Sequence, residues 1–212
     1  MKRISILLTL VFGIAVSQAQ ITAEVTRVMD RCRTAMTPPN GLEYEMDMKA
    51  GAGPLSMKMH FVVAHKGELE RTSMTMKIMG MEVVIESGFD GADTWEIKHS
   101  EDGDTITFTR GDKRKKSKGD LTLDLDKQYN KAKMKLKDGY YEITFSDPKD
   151  KASEVKSITV KISEKNYVMR ELRSTTRGAK VTMNITKVRV GLKDSHFKLD
   201  LSKYPNAVVI RN

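Results

Sequence analysis

Beyond residue 41, hydrophobic residues fall on every second position along most of the chain. Leu42, Tyr44, Met46, Met48 and Ala50 alternate with Glu43, Glu45, Asp47 and Lys49. This is the pattern of a strand with one dry and one wet face. Gly51 to Pro54 makes a turn, and Leu55, Met57, Met59, Phe61 and Val63 then alternate with Ser56, Lys58 and His60. After His65-Lys66-Gly67, Met74, Met76 and Ile78 keep one parity. Gly80 breaks the run, and Met81, Val83 and Ile85 follow. Trp95/Ile97, Ile106/Phe108, Leu121/Leu123/Leu125, Tyr141/Ile143/Phe145, Ile158/Val160/Ile162, Val181/Met183/Ile185 and Val208–Ile210 continue the theme. Asp102-Gly103, Asp138-Gly139 and Arg177-Gly178 supply turns. Lys127–Lys137 fits either a short helix or a strand. The pattern predicts about ten to twelve strands joined by short turns, and so mostly antiparallel pairing.

One stretch has the other period. Between Thr22 and Met36, Val25, Val28, Met29, Cys32 and Met36 form one apolar helical stripe. Thr22 suits the N-cap, and Thr37-Pro38-Pro39-Asn40-Gly41 ends the helix. A large sheet with one apolar face must curl or be covered. The prediction is therefore a mainly β, α+β fold: an unclosed antiparallel half-barrel capped by the N-terminal helix.

The methionines sharpen this picture. Eight of the fourteen lie between Tyr44 and Ile85, in M-x-M pairs: Met46/Met48, Met57/Met59, Met74/Met76 and Met79/Met81. In a strand, residues two apart share a face, so each pair sets two thioethers side by side. Met is unbranched and repacks around partners of changing shape. The same residues would also serve as ordinary core.

Residues 1–19 read as an address. Lys2 and Arg3 precede an apolar run from Ile4 to Val16, and Ser17-Gln18-Ala19 places small residues for cleavage after Ala19. This is the three-part pattern of a secretory signal peptide. Residues 20–212 then form a single exported domain, which points to the periplasm. The charge of +9 becomes +7 without Lys2 and Arg3, which allows an anionic surface or an acidic partner. Export and sparse aromatics argue against nucleic acid. The single cysteine, Cys32, forms no internal disulfide and reads as a buried small hydrophobe.

No catalytic constellation stands out. His60, His65, His99 and His196 have no ligand spacing, and no phosphate-binding loop or nucleophile elbow occurs. The expectation is a binding protein with no catalytic residues, no metal and no cofactor. The basic stretch Lys113–Lys118 reads as a solvated hairpin tip or as a contact for anionic groups.

Two local stretches carry a resemblance. Phe89-Asp90-Gly91-Ala92-Asp93-Thr94-Trp95 is similar to a D-G-K-x-x-W turn and strand. Phe197-Lys198-Leu199, followed by Tyr204-Pro205-Asn206-Ala207-Val208-Val209, is similar to a closing F-x-F-x-P-x-G-V-x-V. With the leader, the single helix and the long run of strands, the chain resembles the periplasmic lipoprotein carriers of the LolA/LolB-like superfamily. The resemblance implies an apolar cavity for the acyl chains of a lipoprotein, an inner-membrane donor and an outer-membrane acceptor, and a monomer. The cavity would be lined by Tyr44, Met46, Met48, Met57, Met59, Phe61, Met74, Met76 and Trp95. The carriers hold their lid with an arginine before a proline. The matching turn here is His65-Lys66-Gly67, so Lys66 or Arg71 would take the gate role. Two other readings stand beside this one. M-x-M pairs can present thioethers to Cu(I), and the same scaffold can serve as an envelope sensor or partner-binding module.

Overall fold

A computed structural model of the chain describes residues 20–52, 55–78, 81–100, 103–113, 123–176 and 178–212. The leader, Met79 and most of the basic stretch at 113–118 lie outside these residues.

The helix forms where its stripe requires it. Helix α1 spans Ala23–Met36, with Thr22 Oγ1 accepting from the Val25 amide at 3.3 Å. Val25, Val28, Met29, Cys32 and Met36 are all buried. Gly41 follows at φ +84, and a Cβ there would meet Lys66 Cβ at 3.0 Å, so the turn into the sheet needs glycine.

Twelve strands make one open sheet: β1 (Leu42–Ala52), β2 (Leu55–Lys66), β3 (Leu69–Ile78), β4 (Met81–Phe89), β5 (Asp93–Lys98), β6 (Thr105–Arg110), β7 (Tyr129–Lys137), β8 (Tyr140–Pro148), β9 (Val155–Ser163), β10 (Met169–Thr176), β11 (Ala179–Val190) and β12 (Val208–Arg211). The order is β12-β6-β5-β4-β3-β2-β1-β11-β10-β9-β8-β7, with β7 and β12 at the two edges. The half-barrel expectation holds. Every pairing is antiparallel except β12, which lies parallel to β6, because a C-terminal excursion carries the chain back before it pairs. The ambiguous 127–137 stretch is strand β7, preceded by a one-turn helix α2 (Leu125–Gln128). Leu125 opens that turn rather than extending an alternating strand.

The two faces of the sheet are covered by different elements. The front face carries Leu42, Tyr44 and Met46 of β1. It packs on α1 together with Ile143, Phe145, Val160, Ile162, Met169 and Ile185 in one continuous core. On the back face, the segment after β11 covers β2–β6. Phe197 and Leu192 pack on Ala64, while Leu199, Tyr204 and Ala207 pack on Trp95, Ile97, Ile106 and Phe108.

Candidate functional site: a methionine strip beyond the helix

Strand register sets the apolar front-face residues in rows. One row runs Ile185–Met46–Phe61–Met74–Ile85 across β11, β1, β2, β3 and β4. The next runs Met183–Met48–Met59–Met76–Val83 across the same strands. Four consecutive thioethers therefore stand shoulder to shoulder, and with strands about 4.8 Å apart the full row is roughly 19 Å long. A β-bulge between Glu45 and Met46 shifts the β11 register so that Met183 meets Met48.

Burial falls along β1 and β2 toward their shared turn. Met46 is 6% exposed and Tyr44 9%. Phe61 is half-buried against the core that α1 covers. Met48, Met59, Met74 and Met76 are half-buried, and Ile85, Met57 and Met81 reach 38%, 45% and 61% exposure. The strip thus begins as core under α1 and ends open to water.

The nine residues expected in one cavity are not gathered into one. Tyr44 and Met46 are packed beneath α1 as core. Phe61, Met48, Met59, Met74 and Met76 form the half-buried strip, and Met57 stands at its open end. Trp95 is on the other face. It pairs with Gly88, Gly88 with Arg71, Arg71 with Ala64, and Ala64 with Glu43, the wet side of β1. Trp95 is fully buried there, and its Nε1 donates to the Phe197 carbonyl at 3.2 Å. The alternation fixed which residues share a face within each strand, but the face Trp95 took depended on the register of three intervening pairings.

The two expected gate residues are also on the back. Lys66 Nζ donates to Asp194 at 2.7 Å and to the Leu192 carbonyl at 3.1 Å. Arg71 donates to Glu86 at 3.0 Å and stacks over the Trp95 ring at 5.7 Å. Lys66 holds the C-terminal segment against the sheet, whereas Arg71 joins β3 to β4 and β5. The helix has other ties. Arg33 Nη1 donates to Asp126 Oδ1 at 2.8 Å and to the Leu123 carbonyl at 2.7 Å, and Nη2 also contacts Asp30. The carboxylate of Asp126 is the main reason the Arg33 guanidinium is held still more firmly in its charged form. Arg31 donates to the Tyr167 hydroxyl at 2.6 Å and stacks on its ring. Apart from Asp30, the partners in these ties lie 90 or more positions away, so no local pattern announces them.

Cys32 is fully buried, and burial pushes its thiol up to about 12. It is inert packing at neutral pH. Among the described residues, no group of three or more His, Cys, Asp and Glu side chains could hold a metal, and no helix is long and apolar enough to cross a membrane.

No family model and no curated protein sequence matches the chain. Solved structures do. An uncharacterised conserved protein of Thermus thermophilus matches over 89% of this chain and 99% of its own, at 8% identity and a TM-score of 0.51. The lipoprotein LppX of Mycobacterium tuberculosis matches over 79% and 98%, at 10% identity and a TM-score of 0.50. A LolA superfamily protein of Nitrosomonas europaea matches over 85% and 99%, at 11% identity and a TM-score of 0.38. The chain shares its fold with the Thermus protein and with LppX. At these identities the likeness is one of architecture, and the side chains of the strip are this chain's own.

Proposed function

We propose that this protein is a periplasmic carrier that binds the acyl chains of a lipid or lipoprotein along the methionine strip. The observation that supports the reading is the continuity of the strip. The apolar face that α1 covers over β1 and β7–β11 runs on across β1–β3 through Met48, Met59, Met74 and Met76, which are half-buried and outside the core that α1 covers among the described residues.

An acyl chain gains roughly 0.8 kcal/mol for each CH2 taken out of water. A strip that is half-buried in the free protein can offer that burial and still release its cargo, because the cost of re-exposing the thioethers is modest. Methionines repack around a mobile chain where branched side chains would fix one shape. The fold shared with the lipoprotein LppX and the leader-like residues 1–19 support an envelope location with a membrane donor and acceptor. The chemistry is binding and shielding, not catalysis.

The thioethers favour a chain over a Cu(I) ion. A soft ion needs two to four sulfurs converging on a point, whereas here Met183, Met48, Met59 and Met76 stand one per strand in a row.

The test is native mass spectrometry of protein purified from its own cell envelope, followed by lipid extraction. Bound lipid at near-stoichiometric amount is expected. Protein that emerges empty and also fails to take up a fluorescent fatty acid overturns the reading.

A further inference from the structure

The back face is a ladder of ion pairs along most of its length. Lys187 meets Glu45 at 3.0 Å, Arg189 meets Glu43 at 2.9 Å, Lys135 meets Glu142 at 3.1 Å and Lys161 meets Glu171 at 3.4 Å. Toward the turn end of β1, β2, β3 and β11 the ion pairs stop among the described residues, and four lysines gather there. Lys49 stands directly opposite Lys58. Lys77 follows Met76, whose partner Met59 follows Lys58, so Lys77 is one register step beyond that pair on the same face. Lys180 faces Gly51, two positions along from Lys49. All four lysines are exposed, and none forms an ion pair among the described residues. Like charges directly opposite each other across strands destabilise a sheet, so the fold gives no reason for this arrangement.

The same place is concave. A groove of about 720 Å³ crosses β11, β1, β2 and β3. Lys49, Lys58 and Lys77 line it together with Thr75, Thr182 and Asn184, and Met48, Met59 and Met76 also border it, so ammonium groups stand beside hydroxyl and amide donors. A second groove of about 360 Å³ shares Lys49 and Thr182 and adds Lys180 and Ser56. Two carboxylates face the cluster. Asp47 is engaged by His60 Nδ1 at 2.8 Å, and Glu82 stands opposite Lys77 on β4 without forming an ion pair.

We propose that this groove binds a phosphate-bearing anion. Ammonium groups from neighbouring strands neutralise a phosphate as point charges, with hydroxyls completing its hydrogen bonds. The four lysines alternate with the strip methionines and so point to the opposite face of the sheet, and anion binding is read separately from acyl-chain uptake, so failure of one reading is distinguishable from failure of the other. The anion can be a free phosphate ester or one displayed on a lipid surface, and the experiment separates the two.

The purified protein is titrated with inorganic phosphate and with glycerol 3-phosphate at constant ionic strength, following backbone amide shifts. Sedimentation with phosphatidylglycerol vesicles, and with phosphatidylcholine vesicles as the neutral control, forms the second arm. Saturable shifts on β1, β2, β3 and β11 around the groove are expected. Lys49→Gln/Lys58→Gln weakens binding roughly tenfold through the loss of two exposed ionic contacts, and Lys187→Gln leaves it unchanged. Binding of the soluble esters assigns a free anion. Binding of phosphatidylglycerol vesicles alone assigns a displayed headgroup. Binding of neither overturns the proposal, as does binding undiminished in the double variant or lost equally in Lys187→Gln. Thermal unfolding closes the remaining route. With no anion present the double variant melts no lower than wild type, and a lower midpoint would mean that the lysines serve the fold, which also overturns the proposal.

Discussion

Replacing Arg33 by methionine separates the latch that holds α1 from the apolar contacts beneath it. Arg33 Nη1 lies 2.8 Å from Asp126 Oδ1 and Nη2 lies 3.3 Å from Oδ2. The Asp126 side chain is 5% exposed and that of Arg33 is 21%. Methionine keeps the aliphatic stem and strips the carboxylate of its partner where little water can replace it. Breaking a buried pair costs about 3–5 kcal/mol. Because one-fifth of Arg33 is already wet, we take the loss as about 2–3 kcal/mol. In a chain of this size each kcal/mol moves the melting midpoint by about 2–4 °C, so Arg33→Met lowers it by about 4–12 °C. Arg33→Met/Asp126→Leu removes both charges and returns to within about 1 kcal/mol of wild type, since no buried charge remains unpaired. Differential scanning calorimetry on the four proteins of the cycle measures both. A single variant that melts with the wild type, or a double variant as unstable as the two single losses added, refutes the latch.

Other consequences follow from individual contacts. Gly88→Ala should unfold β4–β5 locally or prevent folding, because a Cβ there would sit 2.5 Å from Trp95 Cζ2 and 2.5 Å from the Glu70 carbonyl oxygen; a midpoint equal to wild type counts against the packing described. Cys32 should resist Ellman's reagent at pH 8 until the protein unfolds, since its thiol is pushed up to about 12 and is fully buried. Burial lowers the affinity of His65 for a proton in the folded state. Its contribution to stability is therefore complete above the unfolded value of about 6.5 and is lost as pH falls below it. The midpoint should drop between pH 7.5 and 5.5 in wild type and drop less in His65→Asn.

The sheet was legible because alternation is a local signal. Leu42–Ala50 on β1 and Leu55–Val63 on β2 each show their dry parity within a few residues, and the helix stripe of Val25, Val28, Met29, Cys32 and Met36 appears within four turns. What the sequence hid was long-range. Met183 joins the methionine row only because β1 pairs with β11 across more than 130 residues, and because a bulge at Glu45/Met46 sets the register. Trp95 went to the back face for a similar reason. Its parity within β5 was clear, but its face depended on the pairings through β4, β3 and β2. Lys66 and Arg71 looked like gate residues by position along the chain, yet their partners, Asp194 and Glu86, belong to the back face. Arg33, the residue that ties the helix down, sat in plain view as one charge among several on a wet helical face.

Photo-crosslinking with a diazirine-bearing fatty acid, read by peptide mass spectrometry, tests the carrier account most directly. The account predicts adducts on β1, β2 and β3 at Met48, Met59, Met74 and Met76, competed away by unlabelled fatty acid and abolished by Met59→Asp with the fold intact. Adducts confined to Lys49, Lys58 and Lys77, or no competable adduct at all, would contradict it.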